Sequence, residues 1–165
     1  YEIPLRLVGS EMCIRDRRER IPSDVAICVG ERHYTRFGIR SLLEKHVCDI
    51  IMPDITRCGG PSEMKRMATM AEAYQVLLAP HNPNGPLSTL ASSHVCASVP
   101  NFFRQEFMFN DVPWRDTVID HSIADMVYDG HLHLSDRPGL GVDLVEEEME
   151  KHPGITSNPP ENFYI

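Results

Sequence analysis

The sequence predicts an α/β chain in which parallel strands alternate with helices, and three observations carry that prediction. Short apolar runs rich in β-branched residues recur at 25–29, 48–52 and 75–79. Stretches with apolar residues at helical spacing lie between them. The second and third runs each stop at a proline, Pro53 and Pro80, which cannot extend a hydrogen-bonded ladder. Strands alternating with helices of about 10–15 residues read as βαβ units around a parallel sheet, joined by right-handed crossovers.

The elements follow in order. Val25–Val29 is the first strand, ending at Gly30-Glu31. Ile39, Leu42 and Leu43 put an apolar face on a helix within Tyr34–His46. Cys48–Met52 is the second strand. Gly59-Gly60-Pro61 then opens a helix, because proline suits a first turn and Met64, Met67, Ala68 and Ala71 recur at three and four. Gln75–Ala79 is the third strand. Leu87–Val99 reads as a helix broken by Pro100, and Phe102–Phe107 as a fourth strand. The rhythm is then lost. Met126–Leu134 alternates like an exposed hairpin strand, and the run Glu146–Glu150 reads as a solvated helix face. His131 and His133 share one strand face and could bind a metal, although no third ligand is near in sequence.

Four βα units are half of a (β/α)8 barrel or most of a doubly wound sheet. A barrel needs about 250 residues, and the chain has 165. Segment Val8–Arg17, VGSEMCIRDR, resembles translated sequencing-adapter DNA. Residues 1–17 are therefore expected to be non-native, with the natural protein extending upstream. That leaves residues 18–115 for the βα units and 116–165 as a C-terminal extension.

Composition narrows the class of partner. Apolar residues are 42% and charged residues 24%, ordinary globular usage. The formal charge of −8 disfavours nucleic acid. No apolar run approaches the roughly 20 residues of a membrane span, so no membrane partner is expected. Five cysteines, an odd count with no CxxC pair, fit free thiols and a cytoplasmic location.

The chemistry gathers at strand ends. Glu31 follows the first strand, Asp54 the second and His81 the third, and Glu106 ends the fourth. In a parallel barrel those ends share the rim that carries active sites. Asp54 and His81 lie on adjacent strands, so a carboxylate–imidazole hydrogen bond can fix the tautomer of a general base. Glu31 is a hard oxygen ligand suited to Mg2+. Glu106 can accept a hydrogen bond, or donate one to a substrate oxyanion if protonated. His33 and Asn82 lie close enough in sequence to line the same pocket. Asn82 and Asn84 could bind sugar hydroxyls or simply form a turn.

GERHYTRF around Glu31, MPDITRCGG around Asp54, LAPHNPNGP around His81 and RQEF around Glu106 together resemble the C-terminal half-barrel of the enolase superfamily. The mandelate racemase group is nearest, in particular its acid-sugar dehydratases, and RPGLGVDL at Arg137–Leu144 resembles that group's ending. The resemblance implies the C-terminal half of a (β/α)8 TIM-type barrel with a C-terminal extension. It implies a Mg2+-dependent dehydratase acting on an aldonate, D-galactonate first, to give a 2-keto-3-deoxy acid. Glu31 becomes a ligand of Mg2+. His81, paired with Asp54, becomes the base that takes the proton α to the carboxylate, and Glu106 hydrogen-bonds that carboxylate as it becomes an enediolate. The parent is expected to bind a small sugar acid and to form a homo-oligomer. The other metal ligands and the acid for the departing hydroxyl are expected on earlier strands, which leaves this fragment inactive. The alternatives are a racemase or cycloisomerase of the same superfamily, or a non-catalytic barrel fragment serving as an interaction module. A serine hydrolase is disfavoured because no G-x-S-x-G elbow is present.

Overall fold

The computed structural model describes residue 14 and residues 18–108 and 112–153. The chain divides into two compact units, Tyr1–Phe109 and Asn110–Ile165. Of the expected non-native segment 1–17, only Ile14 is described, and it packs into the core of the first unit. The tail beyond Pro153 lies outside the described residues.

The first unit is built on three parallel strands, β1 (Cys28–Val29), β2 (Ile50–Ile51) and β3 (Leu77–Leu78), in the order β1-β2-β3. Three helices accompany them: α1 (Thr35–Glu44), α2 (Pro61–Glu72) and α3 (Pro86–Cys96). Proline occupies the first position of both α2 and α3, where no intrahelical donor is lost. Helix α1 buries Ile39, Leu42 and Leu43, and α2 buries Met64, Met67, Ala68 and Ala71, as the spacing predicts. These side chains close over Ile51 and Leu78 to form the core. Each large one contributes about 1.5–3 kcal/mol on burial.

Strand alternation separates two faces of this sheet. Ile51 and Leu78 are fully buried beneath the helices. Cys28 and Leu77 are exposed and Ile50 is half-buried, so the opposite face lies open.

The strands are shorter than expected, and the fourth is reduced to a single bridge between Leu78 and Phe102. The reason is Pro80. Leu78 N donates to Asn101 O at 2.8 Å and Phe103 N to Leu78 O at 2.9 Å, the start of a parallel ladder. The next donor in register would be the N–H of Pro80, which does not exist. The register then slips by one, and Glu106 N, not Gln105 N, reaches Pro80 O at 3.3 Å. Pro53 similarly offers no return bond to β3.

The second unit begins its regular structure with a single helical turn, α4 (Ile123–Met126), capped by the Ser122 side chain. A hairpin follows, with β4 (Val127–Tyr128) antiparallel to β5 (His131–Leu132). Its turn residues Asp129 and Gly130 have φ of 52° and 74°, the pairing that a type I′ turn requires. Arg137 pairs with Asp120 and Asp143, each at 2.8 Å. The acidic run forms the short helix α5 (Glu146–Glu150), with no buried residue.

Candidate functional site

The site arises from register. The pairing that sets Ile51 opposite Leu78 also sets Asp54 opposite His81, three residues farther along both strands. Asp54 and His81 therefore share a face with Ile50 and Leu77, the face that the helices leave open. His81 N donates to Pro53 O at 3.2 Å and closes the ladder at this point.

Asp54 is fully buried and its carboxylate is saturated with donors. Thr56 contributes its N–H at 2.8 Å and its hydroxyl at 2.6 Å to Oδ1. Asn84 Nδ2 lies 3.2 and 3.1 Å from the two oxygens. His81 Nδ1 stands 3.0 Å from Oδ2. Burial is the largest single influence on this carboxyl and opposes its ionisation. The hydrogen bonds from Thr56, Asn84 and His81 together outweigh burial and hold its pKa below the ordinary carboxylate value. An ionised carboxylate can only accept, so Nδ1 of His81 must be the donor. The tautomer is thereby fixed.

The other ring nitrogen faces Glu31. His81 Nε2 lies 3.2 Å from Glu31 Oε2, a hydrogen bond only when that nitrogen carries a proton. Glu31 reaches it from β1, across the intervening strand. Gly30 permits the approach. Its φ is +134°, and a Cβ there would lie 3.0 Å from Met52 N on the neighbouring strand. Glu31 remains partly exposed, with Arg32 Nε 3.5 Å from its Oε1. A partly solvated carboxylate is the oxygen donor that Mg2+ prefers. Among the described residues, however, no group of three or more His, Cys, Asp or Glu is arranged to hold a metal ion. Glu31 fits as one member of a ligand set that these residues do not complete.

Glu106 and Asn82 form a second cluster, one residue beyond His81. Glu106 is exposed, and its Oε2 accepts from Asn82 N at 2.8 Å. Toward Asn82, Glu106 acts as an acceptor, one of the two roles expected for it. Asn82 differs from expectation. It is fully buried, its Nδ2 donates to Thr89 Oγ1 and Glu106 O, and its Oδ1 accepts from Ser88. Its amide is occupied within the protein and not offered to a substrate hydroxyl, because α3 places two hydroxyls directly beneath it. His33 is half-buried in the turn after β1, its Cβ against Gly38 of α1.

Thr56 is a functional residue that the strand-end pattern does not mark. Its signal is local: an Asp followed two residues later by Thr, the spacing at which side chains bond their own turn. Arg57, one residue on, brings Nε to 3.8 Å from Asp54 Oδ2 and is half-exposed.

Fold and strand-end residues thus agree with one superfamily, and comparison with known proteins decides it. The Enolase C-terminal domain-like family matches residues 13–148. The chain belongs to that family. Its βα units are therefore those of half of a (β/α)8 barrel. A D-xylonate dehydratase from Haloferax volcanii is 36% identical over 126 residues, covering 76% of this chain and 30% of the relative. A D-galactonate dehydratase from Pectobacterium atrosepticum is 37% identical over 141 residues, 81% of this chain and 37% of the relative. An enolase from Agrobacterium radiobacter, described as a candidate galactarate dehydratase and solved with Na and L-malate bound, superimposes with a TM-score of 0.76 at 34% identity. That match covers 84% of this chain and 38% of the other. The chain spans about a third of the length of these curated relatives. Among the described residues no helix is long and apolar enough to cross a membrane.

Proposed function

We propose that this chain is the C-terminal half-barrel of an acid-sugar dehydratase that converts an aldonate into a 2-keto-3-deoxy acid, with D-galactonate the first candidate substrate. The observation that carries the reading is the Asp54–His81 pair at adjacent strand ends, with Nδ1 tied to a buried carboxylate and Nε2 turned away from it. In such a pair Nε2 takes the proton from the carbon α to the substrate carboxylate. The C–H bonding electrons pass into that carboxylate to form an enediolate. They then return to form the Cα–Cβ double bond as the β-hydroxyl leaves as water, with its proton from the acid expected on the earlier strands, and the resulting enol tautomerises to the ketone. Asp54 stays ionised throughout and stabilises the imidazolium that forms. Glu31 Oε2 then lies within hydrogen-bond reach of the new Nε2–H. Glu106, exposed beside Asn82, is available to the substrate carboxylate from the adjacent strand end.

Glu31 is one oxygen ligand of a magnesium ion in this reading. When bound, that ion supplies positive charge opposite the negative charge left on the substrate. The relatives named D-galactonate and D-xylonate dehydratase favour elimination over racemisation or cycloisomerisation.

The test joins this chain to the N-terminal remainder of a D-galactonate dehydratase as a chimera. Formation of 2-keto-3-deoxy acid from D-galactonate and D-xylonate is followed with Mg2+ present. Turnover that His81→Asn abolishes supports the reading. Turnover that survives His81→Asn overturns the assignment of the base.

A further inference from the structure

The second unit carries a histidine pair that the proposed chemistry does not use. His131 and His133 alternate along one exposed face of the β4–β5 hairpin. Their ring centroids are 6.4 Å apart, edge to face. His131 Nδ1 lies 2.7 Å from the carbonyl oxygen of Asp129. A carbonyl only accepts, so Nδ1 carries the proton, and in the neutral ring Nε2 keeps the lone pair that a metal can take. A backbone carbonyl that fixes one ring nitrogen and leaves the other free is the arrangement that orients metal-bound histidines. The backbone beneath is held by the tight Asp129-Gly130 turn and by the bond from His133 N to Met126 O at 2.8 Å. His133 is held from the side by Tyr128, whose ring stacks on it at 3°.

We propose that His131 and His133 chelate one divalent transition cation of the Zn2+, Ni2+ or Cu2+ class, with water completing the coordination. Imidazole nitrogen selects those ions over Mg2+, which prefers oxygen. With metal–nitrogen bonds of about 2.0–2.1 Å, each ring centroid stands roughly 3.2 Å from the ion, so two rings at tetrahedral or octahedral cis angles have centroids about 4.5–5.2 Å apart. Rotation of the two exposed rings about their side-chain bonds has to bring the centroids more than about 1 Å closer than the 6.4 Å observed. The site is independent of Glu31, both in position along the chain and in ligand chemistry.

The experiment titrates the full chain with Ni2+ and Zn2+ by calorimetry. It then maps the Ni2+ site by paramagnetic broadening in NMR spectra. The expected result is one site whose broadening centres on Tyr128, His131 and His133. Affinity falls at least about tenfold in His131→Gln and in His133→Gln, is unchanged in His121→Gln, and survives excess Mg2+. All these positions are exposed, and circular dichroism checks that the variants fold. Absence of binding, loss in only one of the two variants, displacement by Mg2+ or broadening centred elsewhere overturns the proposal.

Discussion

Replacing Asp54 with asparagine keeps the shape of the site and removes only its charge and half of its acceptor capacity. With the amide oxygen at the Oδ1 position, both Thr56 bonds survive but lose their charge assistance. The amide nitrogen then stands where Oδ2 faced His81 Nδ1 and Asn84 Nδ2. Two donors meet there, so the imidazole must move its proton to Nε2 to accept from the new amide. Hydrogen bonds to charged groups contribute about 1.5–3 kcal/mol and neutral ones about 0.5–1.5, so weakening the Thr56 pair and losing the Asn84 contact at Oδ2, while its contact at Oδ1 survives, removes roughly 3 kcal/mol. Relief of the buried charge offsets part of this, leaving a net loss of about 1–3 kcal/mol at pH 7. The pH dependence has a definite sign. The folded-state pKa of Asp54 lies below its unfolded value. Its contribution is therefore complete above about pH 4 and is lost as pH falls through the folded pKa. Urea unfolding of both chains at pH 7 and at progressively lower pH measures the gap, and nitrogen NMR of the His81 ring reads the tautomer. A variant as stable as the parent at pH 7, or one that keeps a bare Nε2, would refute the reasoning.

Gly30→Ala forces a side chain into a left-handed backbone conformation against Met52 N. It costs about 1–3 kcal/mol in strain alone, read as a lower urea midpoint with an unchanged slope. Met67→Ala, at a fully buried position under the sheet, costs about 2–5 kcal/mol in the same assay. Burial pushes the Cys48 and Cys58 thiols up to about 11 and Cys96 to about 12. Among the four cysteines of the described residues, thiol labelling at pH 8 with peptide mapping is therefore expected to modify the exposed Cys28 first and those three only on unfolding. Glu63 accepts from Arg36 N and from the Arg36 and Arg66 guanidinium groups, and these bonds hold its carboxyl below the usual range. Its contribution likewise disappears on acidification, so Glu63→Gln lowers the thermal midpoint at pH 7 and narrows that gap at low pH.

Much of this was legible from the chain because the signals were local. The apolar spacing of Ile39, Leu42 and Leu43 located α1, and Pro61 with the Met64–Met67 pair located α2. Asp54 and His81 were legible together because residues placed alike after two neighbouring strands must meet if the register runs on. The fourth strand was misjudged because its ladder depends on a donor in another segment, and Pro80 lacks it. The placement of Asn82 is hidden in the sequence for a similar reason. Beside a histidine in a Pro/Asn/Gly-rich loop it reads as a solvated polar residue, and only the folding of α3 brings Ser88 and Thr89 to its amide. The grip of Asn84 on Asp54 spans 30 residues and has no sequence signature.

The two prolines that end β2 and β3 have a further consequence. Each accepts a bond from the next strand and returns none, so the ladder thins to one-way bonds where the reactive side chains begin. Register sets Asp54 opposite His81, and side-chain bonds from Thr56 and Asn84 take over from backbone bonds in holding what lies past them. Reactivity and architecture are therefore written in separate alphabets. New side chains can be tried at the rim, and specificity can drift, while the scaffold underneath stays intact.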